Sequence, residues 1–484
     1  MKEMQRARLI PVSGINGQAE AEQRATSALL AVISIVRDFS HELFGDLGAS
    51  SAAKAQVSTF IEVEIKLATG EKVRPDGLIR ISYGKTEWVA LVEVKTGNAT
   101  LEADQLNKYL LAAREVGADC VVSISNEVGI AGDHPTEGLN VRSNSKIKAH
   151  HLSWSRLLAT AVQCKVHAGV DDPEQSWILA ELIRYLEHPA SGVTEFDDMG
   201  QHWTEVRDEI RKGTMTRATD ALDEIATKWD ELNRHLTLRL SAQTGANVRH
   251  LLSRSEKDQK TRLRSLRTQL LDDGCLSSEI RVPNTASDVQ ITANLRTGQI
   301  ATEANIQAPR NKGGRGSIGW LTRQLRDAPV DLSIEAFAKN ARTPVIASLA
   351  DAANDPNTLL AEGQNDISRF RLVSYREAGK SRRNGGRSVG FIDSVNNAFD
   401  EFYQLVVQQI TPWTPTAPKV KQIEPQDSFP QPEPQRARRS TDRQPEGAPR
   451  SEETSSPRST ADRAVGGTLA DHIEMLHSNS VASD

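Results

Sequence analysis

The chain has 484 residues, with 38% hydrophobic and 25% charged residues and a formal net charge of -5, enough for two or three domains of roughly 100–200 residues each. This excludes a single small module, and the slight acidic excess excludes a basic field spread over the whole molecule, so phosphate contacts must come from local patches. Cys120, Cys164 and Cys275 stand far apart, which excludes a disulfide framework or a paired-cysteine zinc site and fits a reducing compartment.

The first residues, MKEMQRARLIPV, lack the apolar core of a signal peptide, and the longest apolar stretch, Ala28 to Val36, is too short to span a bilayer. The expectation is a soluble cytoplasmic protein with no membrane contact. From Gln18 to Phe39, apolar residues at three- and four-residue spacing (Ala25, Leu29, Val32, Ile33, Val36, Phe39) predict one amphipathic helix. Three strands follow, at Val57–Leu67, Leu78–Ser82 and Trp88–Val94, the first bounded by the turn residue Gly70. A helix is predicted over Leu101–Glu115, and the apolar run Cys120–Ile124 reads as a buried strand. The order is α, β, β, β, α, β.

Ile147–Trp154 reads as another strand, Ser155–Val162 and Trp177–Leu186 as helices, and Pro189, Ser191 and Gly192 as a breaker that closes a first domain at about residue 195. Residues 196–271 are helical and charged, with Ala218, Leu222, Ile225, Trp229 and Leu232 on one line, and read as a connector. Residues 272–411 read as an α+β domain: a hairpin of Val289–Leu295 and Ile300–Ile306 about Thr297-Gly298, a helix over Ile318–Leu325 and a closing helix over Val389–Ile410. Half of the 20 prolines fall in 412–484, a composition unable to offset chain entropy by apolar burial, so a disordered tail is expected. Its last segment, TLADHIEMLHS, aligns Leu469, Ile473 and Leu476, which a frayed helix end explains as well as partner docking does.

Chemistry concentrates in Arg74-Pro75-Asp76-Gly77 and Leu91-Val92-Glu93-Val94-Lys95. In a strand Glu93 and Lys95 share one face while Val92 and Val94 take the other. Were the Asp76 strand to pair antiparallel with the Glu93 strand, two carboxylates would meet, a donor set suited to Mg2+ or Mn2+. Such a cation polarises a phosphodiester and activates water, and Lys95 would position that water or offset developing charge. The structural alternative makes Asp76 a turn residue and Glu93 with Lys95 a solvated pair.

Pro75-Asp76 and Glu93-Val94-Lys95, in this order within an αβββαβ pattern, resemble the PD-(D/E)XK nuclease superfamily over residues 15 to 165. The resemblance implies a restriction-endonuclease-like α/β core with the acidic residues on adjacent central strands, Asp76 and Glu93 as metal ligands and Lys95 as a catalytic residue. Gln105 and Tyr109, one turn apart, resemble the Gln-xxx-Tyr motif of some exonuclease-like branches, and Glu22 matches the glutamate that many members carry on the first helix. The implied activity is divalent-metal-dependent hydrolysis of nucleic acid, DNA in first place, in restriction, genome defence or repair, with a homodimer as one way to cut two strands. A second reading keeps the fold as a scaffold for a noncatalytic protein that binds nucleic acid or a protein partner through its C-terminal half or tail.

Cationic stretches offer phosphate contacts. Arg254, Lys257, Lys260, Arg262, Arg264 and Arg267 crowd one segment, where a solvated helix face is an equal alternative. Arg310, Lys312 and Arg315 lie among glycines, as do Lys380, Arg382, Arg383 and Arg387, and both groups read as flexible loops, the second as the nucleic-acid-binding one. Gly313–Ser317 lacks the lysine spacing of a P-loop. His150 and His151 have no partners at ligand spacing and read as structural or surface residues.

Overall fold

The computed structural model describes residues 7–15, 17–130, 134–141, 145–194, 196–216, 220–363, 366–384 and 389–412. The expected first helix is two: α1 (Gln18–Ile35) ends where Val36 turns extended, and α2 (Arg37–Phe44) follows. Both halves of the predicted apolar line are used, because Leu29, Ile33, Phe39 and Phe44 are all buried. β1 (Gln56–Ile61) stops at Glu62, whose φ of 51° is uncommon outside glycine. The run read as one strand to Leu67 is therefore divided, and β2 (Ile65–Lys66) pairs instead with β3 (Lys72–Val73) across the Gly70 turn.

β4 (Gly77–Tyr83), β5 (Thr86–Val94), α3 (Ala103–Val116), β6 (Cys120–Ser125) and β7 (Lys148–Ser153) complete a mixed five-stranded sheet of order β1-β4-β5-β6-β7. The first three strands are antiparallel and β5, β6 and β7 run parallel. Parallel strands are covered on both faces. Val92, Val94, Val122 and Ile124 join one apolar cluster with α1, α2, α4 (Trp154–Val162) and α5 (Pro173–Leu186), while Leu91 and Val121 pack with Leu106 and Leu110 of α3 in another. This is a helix–sheet–helix layering in which α3 caps the face that carries Glu93.

The remaining elements are α6 (Trp203–Lys212), α7 (Asp220–Thr244), β8 (Arg249–Leu251), α8 (Gln259–Thr268), β9 (Cys275–Arg281), β10 (Val289–Asn294), β11 (Gln299–Gln307), α9 (Gly314–Gln324), β12 (Ser333–Ala338), β13 (Val345–Ser348), α10 (Leu349–Asn354), β14 (Ile367–Glu377) and α11 (Phe391–Leu405). Seven of the strands form an antiparallel sheet of order β13-β12-β14-β11-β10-β9-β8. The hairpin expected about Thr297-Gly298 joins Asn294 to Gln299. Residues 196–271 are not a free-standing connector: Trp203, Leu222 and Trp229 lie in the same apolar cluster as Ile291, Phe370, Phe391 and Phe402 of this sheet and its helix. Gly314–Ser317, read as part of a flexible loop, forms the first turn of α9, with Ser317 fully buried.

The described residues fall within one compact unit, residues 1–414. Among them no helix is long and apolar enough to cross a membrane. The tail expected to be disordered lies outside the described residues from 413 onward.

Candidate functional site

Asp76 sits immediately before β4, and the Gly77–Val92 register brings it level with Glu93 on the neighbouring strand. Its Oδ2 accepts a hydrogen bond from the Val94 backbone N–H at 2.7 Å, which ties the carboxylate to the end of β5. Asp76 is thus a strand-leading residue fixed to its neighbour, not a loose turn residue. Gly77 is required by close packing: a Cβ there would run into the Leu30 side chain of α1 and approach the Phe60 carbonyl oxygen. The motif glycine lets α1 come down onto the strand that presents the aspartate.

Glu93 is 1% exposed. Its Oε1 accepts a hydrogen bond from Lys95 Nζ at 2.7 Å, and its buried Oε2 has no hydrogen-bond partner among the described residues. Burial first, and the Asp76 carboxylate second, push the Glu93 carboxyl up to about 7, against the opposing pull of Lys95. Burial alone would lower Lys95, but its bond to Glu93 and the fields of Glu93, Glu22 and Asp76 outweigh this and hold the ammonium above its ordinary value. Glu22 projects from α1 with Oε2 3.8 Å from Lys95 Nζ, and burial raises its carboxyl as well. Gln18, one turn earlier, donates to the Thr96 carbonyl at 3.0 Å, so α1 also holds the backbone beyond Lys95.

Gln105 and Tyr109 share a face of α3, as their spacing predicts. Gln105 Nε2 donates to the Tyr109 hydroxyl at 2.9 Å, and that hydroxyl donates to the Arg74 carbonyl at 3.0 Å. Their position in the fold is a brace, running from α3 to the segment that carries Asp76. Burial and the nearby Glu93 charge keep the phenol protonated.

Whether this set suits a divalent cation is decided by its donors. Two carboxylates face each other, one with an unpartnered buried oxygen, and the Asp76 charge makes Glu93 costlier to ionise; a bound cation offsets this. Among the described residues no group of three or more His, Cys, Asp and Glu stands ready for a metal. Mg2+ is commonly held by one or two carboxylates, with water and substrate oxygens filling the rest. The all-oxygen donors fit Mg2+ or Mn2+ and not zinc.

The same strand row continues beyond the residues read from the sequence. Glu93 pairs with Ser123, and Ser123 with His151, so the three side chains share one face across β5, β6 and β7. His134 completes a half-buried cluster: its Nε2 lies 2.8 Å from Ser123 Oγ, which lies 3.0 Å from His151 Nδ1. The backbone assigns the tautomers. Thr136 N–H donates to His134 Nδ1, and His151 Nε2 faces the Glu127 carbonyl at 2.8 Å. Protons therefore run His134 Nε2 to Ser123 to His151 Nδ1, leaving no free ring nitrogen. Burial lowers both imidazoles to about 4, so they are neutral near pH 7. His151 is thus tied by both ring nitrogens to neighbouring segments. The signal overlooked was Ser123, a polar residue in an otherwise apolar buried strand.

The expected nucleic-acid-binding loop differs from its sequence reading. Arg383 Nε bonds Asp198 Oδ2 at 2.7 Å and Arg382 Nε lies 3.6 Å from the same carboxylate, which neutralises part of their charge. Lys380 offers its backbone carbonyl to Trp203 Nε1 and to Arg207, anchoring the segment instead of leaving it flexible. Arg387 lies outside the described residues. The 254–267 stretch is similarly committed in part, since Arg262 is buried against Asp230 and Glu256, and Arg267 pairs with Asp223. Compared with known proteins, the chain matches no family model, no curated protein and no solved structure.

Proposed function

We propose that the protein is a divalent-metal-dependent nuclease of PD-(D/E)XK type, hydrolysing phosphodiester bonds of nucleic acid, with DNA as the favoured substrate. The observation that carries this reading is the convergence of Asp76, Glu93, Lys95 and Glu22 at one end of the five-stranded sheet, with the unpartnered Glu93 oxygen among them. Asp76 and Glu93 would hold Mg2+ or Mn2+, which when bound supplies Lewis acidity toward a phosphate oxygen and lowers the pKa of water. Lys95, held by Glu93 at 2.7 Å, would position the attacking water or offset the charge that develops in the transition state. Tyr109 and Gln105 keep Asp76 in place through the Arg74 carbonyl. A role in restriction, defence or repair follows from fold analogy alone.

The test is cleavage of plasmid, linear duplex, single-stranded DNA and RNA with Mg2+, Mn2+ or EDTA by wild type, Asp76→Ala and Lys95→Ala. Metal-dependent cleavage that both substitutions reduce by roughly 1,000-fold or more is the expected outcome; wild-type rates in both variants would refute the site. The second reading keeps this fold as a noncatalytic scaffold for binding. A folded protein that binds DNA under every metal condition and never cuts it would establish that alternative.

A further inference from the structure

A cleft of about 1010 Å³ opens between α4 and α7, bounded by the β8 segment and by the loop after β6. Its charged lining is Arg156, Arg234, Arg249, Lys257, Glu42 and Asp46, four cations against two carboxylates. Arg234 is held by Asp230 at 3.3 Å. Arg156, Arg249 and Lys257 have no carboxylate within ion-pair distance among the described residues, unlike the arginines of the 380–383 segment. Three cations without an ion-pair partner, set against Glu42 and Asp46, leave this concave surface net positive and larger than a single phosphate needs.

The fold places this cleft on the working side of the sheet. β5, β6 and β7 are parallel, so the ends of all three strands that carry Glu93 with Lys95, Ser125, and Ser153 point the same way. His151 and Ser153 at the end of β7 line the cleft. Open α/β sheets bind ligands outside these carboxyl ends. Two strand spacings, roughly 10 Å, separate β7 from β5, about three base steps along a duplex at 3.4 Å each.

The lining also indicates which form of nucleic acid fits. Among the described residues its lining holds no Phe, Tyr or Trp, the aromatic platforms on which unpaired bases stack. Two of its histidines are engaged elsewhere, His151 with Ser123 and the Glu127 carbonyl and His167 with the Ala242 carbonyl at 2.8 Å, while His250 packs beside the Arg262 guanidinium and Asp230. A surface of cations without stacking groups reads phosphates and leaves bases paired.

We propose that the α4–α7 cleft binds the phosphate backbone of duplex nucleic acid, independently of base sequence, and leads one strand to Asp76, Glu93 and Lys95. The role of those three residues rests on the nuclease reading; the cleft's affinity does not require it. The experiment is fluorescence anisotropy in EDTA, where no cleavage proceeds, with a short DNA duplex and one of its single strands titrated at several salt concentrations. Wild type is compared with Arg249→Gln/Lys257→Gln, whose positions are exposed, and with the same pair plus Arg156→Gln.

Wild type should prefer the duplex, and each removed cation should lower the slope of log affinity against log salt by about 1, with the triple variant binding roughly tenfold more weakly. Arg156→Lys/Arg249→Lys/Lys257→Arg, which keeps every charge, should retain the wild-type slope, and this holds the test open if the neutralised triple variant misfolds. Unchanged duplex affinity and slope in the double variant, or a preference for the single strand, would overturn the proposal. Charge-dependent duplex binding with no cleavage in Mg2+ or Mn2+ would sustain the cleft and defeat the enzyme reading. Cleavage with unchanged binding in the variants would do the reverse.

Discussion

Glu93 is acidic in its resting chemistry yet half protonated near neutral pH, because a carboxylate 1% exposed beside a second carboxylate is costly to charge. Its folded value of about 7 exceeds the 4.5 of the unfolded chain. The group therefore takes up a proton on folding, and its contribution to stability is fully present below pH 4.5 and lost as the pH rises through about 7. In EDTA, Glu93→Gln should remove this loss of about 3 kcal/mol, so that wild type and variant diverge in denaturant midpoint as pH rises across that window. Parallel profiles would refute it. His134 and His151 act in the opposite sense, since values near 4 give stability that is present above pH 6.5 and lost as pH falls toward 4; both proteins share that contribution, and the comparison cancels it. At this scale the sequence was informative. Strand alternation puts Glu93 and Lys95 on one face, and the motif resemblance adds Asp76 to them. The partner of Ser123 could not, because His134 and His151 reach it from separate segments.

At the scale of elements, α3 and β4 are coupled through one hydroxyl. Tyr109→Phe removes the donor to the Arg74 carbonyl while keeping the packed ring. We expect its fold to survive and its metal-dependent cleavage to fall by roughly 10- to 100-fold, as for groups that support a metal site from behind its ligands. A steady-state comparison that leaves rate and metal dependence unchanged would show the brace to be dispensable. The helix spacing of Gln105 and Tyr109 was legible, but its target was not, since the Arg74 carbonyl is a backbone atom without a residue signature. The same limit explains the divided strand after Ile61. Alternation runs on through Val63 and Ile65, but Glu62 leaves extended conformation and β2 finds its partner in β3. Alternation reports a pleat and not which strand lies alongside.

Across the whole molecule, α7 joins parts that the sequence reading separated. Leu222, Trp229 and Leu236 belong to the core of the seven-stranded sheet, whereas Ala242 lies in the core shared by α1, α4 and β5. Beneath it Asp230, fully buried, is matched by Arg262 at 3.0 Å and Arg234 at 3.3 Å. Arg262→Ala should cost about 3–5 kcal/mol in denaturant unfolding, because it leaves a buried carboxylate short of its closest partner; a loss within the range of an exposed ion pair would refute that role. The sheet strands β1, β4, β5 and β6, the helix α3 and the carboxylate–lysine spacing were legible in the chain, because periodicity and spacing are local properties, whereas the break between α1 and α2 and the inserted β2–β3 hairpin were not. Only the tertiary structure decided which cations stay unpaired, that residues 196–271 share a core with the second sheet, and that the α4–α7 cleft opens at the same sheet end as Glu93. Pairing and burial depend on residues far apart in sequence, and so does the cost of an unanswered charge.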